Sequence, residues 1–308
     1  MKILKQHLKF YNIMTSIVHK NGRFLILPLT AMLMSATVLA QDFEETITKE
    51  IGLNADAAKS TLVVQNVNGP IEVEAYQGNT IKLVVEKTIE ARKEEYVDLG
   101  RQEIGVKVEE KGNKIFVYLD SPWTYFNLET ERFKHRENYD WDDRKYHHYL
   151  DFKIKVPKNL NLKLGTMNQG DIHVKNVQPN EMIVNNLNGA ITLDNISGRT
   201  DVNALNKDIN ISYRTKPKDD SSYNSLNGDI NITVKQDLNA DVTFKSLNGD
   251  FYTNFDTVKV TPQMTKKEVK HGKGVKYKLN AKDAFKIGSG GAKLDFNLLN
   301  GDVTVKKI

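Results

Sequence analysis

Cysteine is absent from this chain of 308 residues. Without a thiol, the protein can form no disulfide, no thiolate metal site and no catalytic cysteine, and it has no residue to carry the lipid of a lipoprotein. Long apolar runs are also absent, because Pro28 interrupts the main apolar stretch, residues 24–39. That stretch is too short and too broken to favour a permanent membrane helix.

Acidic residues are missing from the first 40 positions, which carry five basic residues: Lys2, Lys5, Lys9, Lys20 and Arg23. A basic segment followed by an apolar stretch is typical of a secretory signal, so we predict a signal peptide over 1–40, cleaved between Ala40 and Gln41. An uncleaved anchor is the alternative. These five charges equal the formal net charge of +5, so the rest of the chain is neutral and lacks the basic excess of a nucleic-acid-binding protein.

A seven-residue phrase recurs along the chain: an aliphatic residue, Asn, usually Gly, usually Asp, then an apolar, a variable and a second apolar residue. The clearest copies are 226–232 and 299–305, others begin at Leu187, Leu205 and Leu247, and weaker ones begin at Val67 and Met167. The Asn positions 168, 188, 206, 227 and 248 are 20, 18, 21 and 21 residues apart. A period of this length indicates stacked structural repeats.

Each phrase joins a turn to a short strand. Asn and Gly tolerate positive φ, and apolar residues two apart place one strand face in the core. A fainter strand precedes each phrase, for example 182–187. We predict an all-β fold, a β-solenoid of stacked short strands with a repeat of about 20 residues. One short N-terminal helix is predicted within 88–103, where Ile89, Tyr96 and Leu99 have helical spacing.

Three regions follow from these patterns. Residues 1–40 are the predicted signal peptide, and 41–156 form an N-terminal β region with the helix and an aromatic, charged insert. Residues 157–308 form the repeat region, interrupted by a Lys-rich insert at 256–286. A charged insert of this kind is usually solvated, and attraction to an anionic envelope polymer or lipid is the alternative.

The recurrent Asn side chains are predicted to form a structural ladder, each hydrogen-bonded to the next along the stack. Its predicted members are Asn68, Asn168, Asn188, Asn206, Asn227, Asn248 and Asn300. A calcium site is the alternative, because Asn and Asp oxygens suit a hard cation. Calcium-binding repeats need two Gly and an Asp in each short turn, and Pro70, Ala190 and Lys207 break that pattern. We therefore predict no metal site and no cofactor.

The stretch 121–149 breaks the repeat and mixes aromatic with charged residues. Such a composition is typical of a recognition surface, and the candidate binding residues are Trp123, Tyr125, Phe126, Tyr139 and Trp141. The alternative is that these rings cover the flank or end of the repeat stack. A metal site lacks any distinguishing spacing, although the stretch contains the candidate ligands His135, Asp142, Asp143, His147 and His148.

Several segments resemble a known family. They are 151–157, the Asn-Gly-Asp phrases, 244–252 and the Gly-rich turn before Leu294. They are similar to the bacterial β-strand-repeat family of unknown function described as putative adhesins. The similarity covers most of the chain after residue 40 and is strongest over 151–308. It implies an exported, β-solenoid-like protein, and it implies no catalytic or ligand-binding residues.

These observations predict an exported, non-enzymatic, adhesin-like protein in the periplasm or at the cell surface of a bacterium. Its partner is predicted to be an envelope protein or a surface glycan, with no nucleic acid and no permanent membrane span after signal cleavage. One alternative is a periplasmic scaffold or envelope-stress accessory protein, docking through a sheet edge or the Lys-rich insert. Another is a carbohydrate-active β-helix enzyme that uses the acids and bases of 121–151.

Overall fold

A computed structural model describes residues 41–137, 144–217, 219–260 and 283–308. These residues fall within one compact unit, Leu39–Ile308. The predicted signal peptide, including Ala40, lies outside the described residues, and Gln41 begins the first strand. Within the described ranges, no helix is long and apolar enough to cross a membrane.

The described residues are mostly β-strand, with one α-helix, α1 (Glu94–Glu103), and a 3₁₀ turn at Ala57–Lys59. The strands are β1 (Gln41–Ile51), β2 (Thr61–Gln65), β3 (Ile71–Tyr76), β4 (Ile81–Ala91), β5 (Gly105–Lys111), β6 (Lys114–Asp120), β7 (Thr124–Asn127), β8 (Arg132–His135), β9 (Tyr146–Pro157), β10 (Asn161–Thr166), β11 (Ile172–Lys175), β12 (Glu181–Asn186), β13 (Ile191–Ile196), β14 (Arg199–Ala204), β15 (Ile209–Tyr213), β16 (Ser221–Asn227), β17 (Ile230–Val234), β18 (Ala240–Lys245), β19 (Phe251–Thr253), β20 (Thr257–Val260), β21 (Asp283–Ile287), β22 (Ala292–Asn300) and β23 (Val303–Lys307).

Most of these strands form two large sheets. Sheet A has the order β1-β4-β9-β3-β11-β13-β15-β17-β23-β19. Sheet B has the order β20-β21-β18-β22-β16-β14-β12-β10-β2-β6-β5. From β10 to β19, successive strands alternate between the sheets. Each of them pairs in parallel with a neighbouring strand of its own sheet. We call one sheet B strand, the Asn turn after it and the next sheet A strand a coil.

The core lies between the two sheets. Strand β12 buries Met182 and Val184, and β13 buries Ile191 and Leu193, while their alternate residues face outward. Parallel register places Met182 beside Leu162 in the preceding coil. Because neighbouring strands are about 4.8 Å apart, equivalent apolar residues stack into one continuous core that no single coil could form.

The order of the coils in space departs from their order in the chain at the C-terminal end. Strand β22 lies between β16 and β18, and β23 lies between β17 and β19. The last coil of the chain is therefore inserted between two coils that precede it. Strands β20 and β21, which lie at the two ends of the predicted Lys-rich insert, extend sheet B beyond β18 in antiparallel pairing.

The N-terminal end of the stack is closed by long strands and the helix. Strand β9 pairs in parallel with β3 and antiparallel with β4, so sheet A runs continuously from the N-terminal region into the repeats. The predicted helix is shorter than expected, because Ile89 belongs to β4, where it is fully buried. Lys87 Nζ lies at the end of α1 and donates to the carbonyls of Arg101 and Ile104, at 3.1 and 3.0 Å. A cation at this position satisfies C-terminal helix carbonyls and complements the helix dipole.

Candidate binding surface

The Asn side chains of the phrase stand in one column along the turns between sheets B and A. Each Nδ2 donates to the Oδ1 of the Asn one coil nearer the N-terminal end, for example Asn206 to Asn188 at 2.7 Å. The column runs through Asn168, Asn188, Asn206, Asn227, Asn300 and Asn248. Asn68 is joined to Asn168 by an isolated backbone bridge. The column follows the order of the coils in space, so Asn300 precedes Asn248.

Glycine in the phrase allows the turns to approach one another. A Cβ on Gly189 would lie 1.9 Å from the carbonyl oxygen of Gly170, and one on Gly249 would lie 1.9 Å from that of Gly301. These distances leave no space for any side chain. Gly is therefore a packing requirement at these two turns, whereas Lys207 occupies the same phrase position in another coil.

The Asp at the fourth phrase position forms a second column. Asp208 Oδ1 accepts the backbone N–H of Asp229 at 2.9 Å, and Asp229 Oδ1 accepts that of Asp302 at 2.9 Å. Asp302 Oδ1 then accepts the N–H of Asp250 at 2.8 Å. Each bond has an ionised acceptor, which makes it stronger than a neutral hydrogen bond. These carboxylates are structural, and four consecutive coils give this edge a negative charge.

A second amide ladder runs along the outer face of sheet B. Asn203 Nδ2 donates to Asn185 Oδ1 at 2.9 Å, and Asn224 Nδ2 donates to Asn203 Oδ1 at 2.8 Å. Asn297 continues the ladder to Asn224 at 3.3 Å. Our sequence prediction missed these residues, although each lies three positions before an Asn of the phrase, which is a readable signal.

Between the two Asn positions of each coil lies the first residue of the phrase. This residue is exposed in four coils and half-buried at Leu205 and Leu226. The exposed fractions are 43% for Met167, 40% for Leu187, 39% for Leu299 and 71% for Leu247. We call this row the aliphatic column. A groove of about 330 Å³ follows it, lined by Ala204, Asn224, Ser225, Leu226, Lys245, Asn297, Leu298 and Leu299. Contiguous exposed apolar side chains on a soluble protein are typical of interaction surfaces.

Two of the five candidate binding rings of the aromatic insert are buried, which corrects the prediction of a binding surface at Trp123 and Phe126. Trp123 is 1% exposed and Phe126 is 7% exposed, so neither ring is available to a partner. Tyr125 is 41% exposed, while Tyr139 and Trp141 lie outside the described residues. The alternative interpretation, that rings cover a flank of the stack, matches the burial of Trp123 and Phe126.

The hairpin of β7 and β8 covers part of the outer face of sheet B. Phe126 packs against Val63, Phe116 and Tyr118 in a small separate cluster. Glu131 in the hairpin pairs with Lys114 and Lys163 on the strands below. Burial opposes ionisation of Glu131, but these two hydrogen-bonded lysines lower its pKa overall. The hairpin thus covers β2 and β6 on this face and leaves the later coils exposed.

His148 lies at the N-terminal end of the Asn column. Its Nε2 is 3.4 Å from Asn68 Nδ2, and its ring lies 5.5 Å from Trp123. Burial, together with the positive charges of Arg144 and His147, lowers the pKa of His148 to about 4. The ring is therefore neutral at pH 7, with Nε2 able to accept from Asn68. His147 is exposed on the opposite face of β9, so the two adjacent histidines are not brought together.

The candidate metal ligands are only partly covered by the structure, because Asp142 and Asp143 lie outside the described residues. Among the residues described, no group of three His, Asp or Glu side chains is arranged to hold a metal ion. A cavity of about 410 Å³ lies nearby, lined by Glu90, Ala91, Arg92, Tyr96, Arg144, Lys145, Tyr146 and His147. Most of the Lys-rich insert, 261–282, also lies outside the described residues.

Comparisons with known proteins give one family and several similar folds. The family described as Toastrack DUF4097 matches residues 151–306. A putative cell adhesion protein from Clostridium sporogenes ATCC 15579 is 8% identical with a TM-score of 0.43, over 86% of this chain and 100% of that chain. A putative adhesin from Bacteroides fragilis NCTC 9343 is 9% identical with a TM-score of 0.29, over 86% of this chain and 97% of that chain. No curated protein matches the chain.

A third similar structure is a putative lipid binding protein from Parabacteroides distasonis ATCC 8503. It is 11% identical with a TM-score of 0.26, over 86% of this chain and 96% of that chain. At such identities and scores, these three structures carry no information about partners. Partners are therefore inferred from the family match and from the surface of the repeats.

Proposed function

The chain belongs to the Toastrack DUF4097 family, and we propose that it acts outside the cytoplasm as a non-enzymatic, adhesin-like β-solenoid that binds a cell-envelope or surface partner. The observation that carries this proposal is the aliphatic column, exposed at Met167, Leu187, Leu299 and Leu247. Residues 1–40 would direct export and would be removed after Ala40.

The repeat makes this surface suitable for an extended partner. The same side chains recur in neighbouring coils at the strand spacing of about 4.8 Å. Covering an exposed Leu removes apolar area from water, at roughly 25 cal/mol per Å². The flanking amide ladders offer hydrogen bonds beside that area, in the manner of an apolar interface core with a polar rim. Several equivalent coils can therefore contribute to one contact.

A non-enzymatic role is supported by the use of the repeated carboxylates. Asp208, Asp229 and Asp302 each accept a backbone N–H from the next coil. A catalytic carboxylate must instead be available to substrate at a defined separation from a second acid. The carbohydrate-active alternative predicts product release from acidic or neutral polysaccharides. Incubating the purified protein with a polysaccharide panel and finding no new reducing ends would remove that alternative.

The binding proposal is tested with a triple variant, Leu187→Ser, Leu247→Ser and Leu299→Ser. We expect the purified protein to bind bacterial envelope fractions saturably, and the triple variant to bind at least about tenfold more weakly, as when interface anchors are removed. Tyr125→Ser, also exposed but outside the column, is the matched control and should bind as the parent does. Equal affinities for the parent and the triple variant would refute the role of the column.

The scaffold alternative differs in its partner. It predicts that amine-reactive cross-linking in cells joins the chain to a defined envelope protein through lysines of the Lys-rich insert such as Lys259 and Lys286. Recovery of glycan alone would count against the scaffold and favour the adhesin-like role. Both candidates share the exported location.

A further inference from the structure

The two sheets end differently at the C-terminal end of the stack. Sheet A stops at β19, whereas sheet B continues past β18 into β21 and β20. In the described part of the chain, the outer edge of β19 therefore has no partner strand. The space beside it, which we call the terminal slot, has a volume of about 330 Å³ and is lined by Phe244, Asp250, Phe251, Thr253, Thr257, Lys259, Asp283, Ala284 and Phe285.

The floor of the terminal slot is apolar. Phe251 lies 5.7 Å from Phe244 and 4.7 Å from Phe285, in edge-to-face contacts. The rim is polar and carries Asp250, Asp283 and Lys259. An apolar floor with charged edges suits an extended strand that places one side chain inward and the next outward.

Interior coils show how one phrase binds the next. Gly228 N–H donates to the carbonyl of Asn300 at 3.2 Å, and Ile230 N–H donates to that of Asp302 at 2.9 Å. In return, Asn300 Nδ2 donates to Asn227 Oδ1 at 2.8 Å. Asp302 N–H donates to Asp229 Oδ1 at 2.9 Å. The coils of Asn227 and Asn300 thus each present two N–H donors and two side-chain acceptors to the next coil in the stack.

The last coil has the same four groups along β19 and the turn before it, at the open edge beside the terminal slot. By the same geometry, the N–H groups of Gly249 and Phe251 point to the open edge. Asn248 Oδ1 and the Asp250 carboxylate accept no hydrogen bond from any described residue, because their own donors point back to Asn300 and Asp302. Open backbone edges of this kind are templates for strand addition.

We propose that the terminal slot binds one extended strand of a partner polypeptide, which adds to β19 in parallel. This inference rests on the proposed function and names the class of its partner. The strand would supply an Asn side chain for Asn248, a backbone N–H for Asp250 and an apolar side chain for the Phe floor. A basic residue beside Asp250 would complement the Asp column.

A second copy of the chain fits this slot poorly. Its complementary groups at the N-terminal end are already used, because Leu150 N–H donates to Asn68 and Phe152 N–H donates to Pro70, at 3.0 and 3.1 Å. Two copies joined through their β19 edges by a two-fold axis would instead pair antiparallel. That pairing differs from the parallel pairing by which an interior coil meets the four groups of its neighbour.

The test uses a labelled peptide that copies residues 226–234 of the chain with Lys in place of Asp229, measured by fluorescence anisotropy against the purified protein. We expect saturable binding in the micromolar range. Asp250→Ala should weaken binding about tenfold, as expected for a lost charge-assisted hydrogen bond. The matched control is Asp229→Ala, whose carboxylate is already used inside the stack; it should leave the affinity within about twofold.

A change in the peptide gives a result that does not depend on folding of a variant. N-methylation at its Lys removes the N–H that would meet Asp250 and should weaken binding about tenfold. The inference would be overturned if the protein did not bind the peptide at millimolar concentration. It would also be overturned if Asp250→Ala and Asp229→Ala lost the same amount of peptide affinity. The inference would also be overturned if the parent protein were a dimer and the Asp250→Ala variant a monomer. The strand bound in the terminal slot would then belong to a second copy of the chain. The aliphatic-column variant should keep its peptide affinity, so failure here and failure of envelope binding are distinguishable.

Discussion

Single residues in this protein are constrained mainly by the close stacking of equivalent positions. Gly189 and Gly249 are required because another backbone lies where their Cβ would be. The sequence predicts the turn chemistry of Asn and Gly, but it does not reveal this contact, because the clash involves a residue one coil away. Trp123 shows the same limitation. The charged residues around it in the sequence favour an exposed ring, but the ring is buried in the structure.

Replacing Gly189 by Ala should destabilise the protein by about 1–3 kcal/mol or more, because a Cβ would lie 1.9 Å from the carbonyl oxygen of Gly170. Denaturant unfolding measures the free energy. Gly52→Ala is the matched control, because no atom lies within 4 Å of a Cβ there. If Gly189→Ala lowered the free energy of unfolding no more than Gly52→Ala does, the stacked geometry would be contradicted.

Burial of His148 predicts a pH dependence of stability. Its folded pKa of about 4 lies below the ordinary value of 6.5, so the unfolded chain binds more protons between these values. Stability should be complete above about pH 6.5 and should fall by about 2–3 kcal/mol as the pH drops to 4.5. His148→Gln should reduce this fall when unfolding is measured at both pH values. An identical pH dependence in parent and variant would exclude His148 as its source.

At the scale of elements, the sequence predicts much and misses some boundaries. The Asn spacing predicts the turns, and six of the seven predicted Asn side chains stand in one hydrogen-bonded column. The helix is predicted in the right region, but Ile89 continues β4, since burial against the core outweighs its helical spacing. The second amide ladder was missed because its Asn residues alternate with core residues and form no turn signal.

The Asn column predicts unequal effects at its interior and at its end. Asn206→Ala removes one donated and one accepted side-chain hydrogen bond, whereas Asn248→Ala removes only the bond to Asn300. At about 1 kcal/mol for each bond, the losses should be about 2 and about 1 kcal/mol. Urea unfolding of both variants measures the difference. A terminal loss as large as the interior loss would argue that these side chains act independently of the column.

At the scale of the whole molecule, the inserted C-terminal coil could not be predicted from the sequence. The phrases that begin at Leu205, Leu226, Leu247 and Leu299 all carry the same Asn and Asp side chains, so spacing alone cannot say which coil lies beside which. The gap of 52 residues between Asn248 and Asn300 indicates an interruption but not an exchange of order. In the structure, β22 and β23 provide the parallel partners of β18 and β19.

Removing residues 283–308 should therefore affect the preceding coil, because β18 and β19 would lose their parallel partner strands. Hydrogen exchange should show lost protection over 240–253 in the truncated protein. Protection over 182–204 should be largely kept, since β12 pairs with β10 and β14, and β14 also pairs with β16. Retained protection over 240–253 would contradict the inserted order.

The central claim is that the chain works outside the cytoplasm, and protease accessibility in bacterial cells that produce the full chain tests it most directly. We expect cleavage either on intact cells or once the outer membrane is permeabilised, and mass spectrometry should find a mature protein that begins at Gln41. Cleavage on intact cells would favour surface adhesion, and cleavage after permeabilisation would favour a periplasmic partner. Protection until the cytoplasm is opened, with residues 1–40 still attached, would contradict the account.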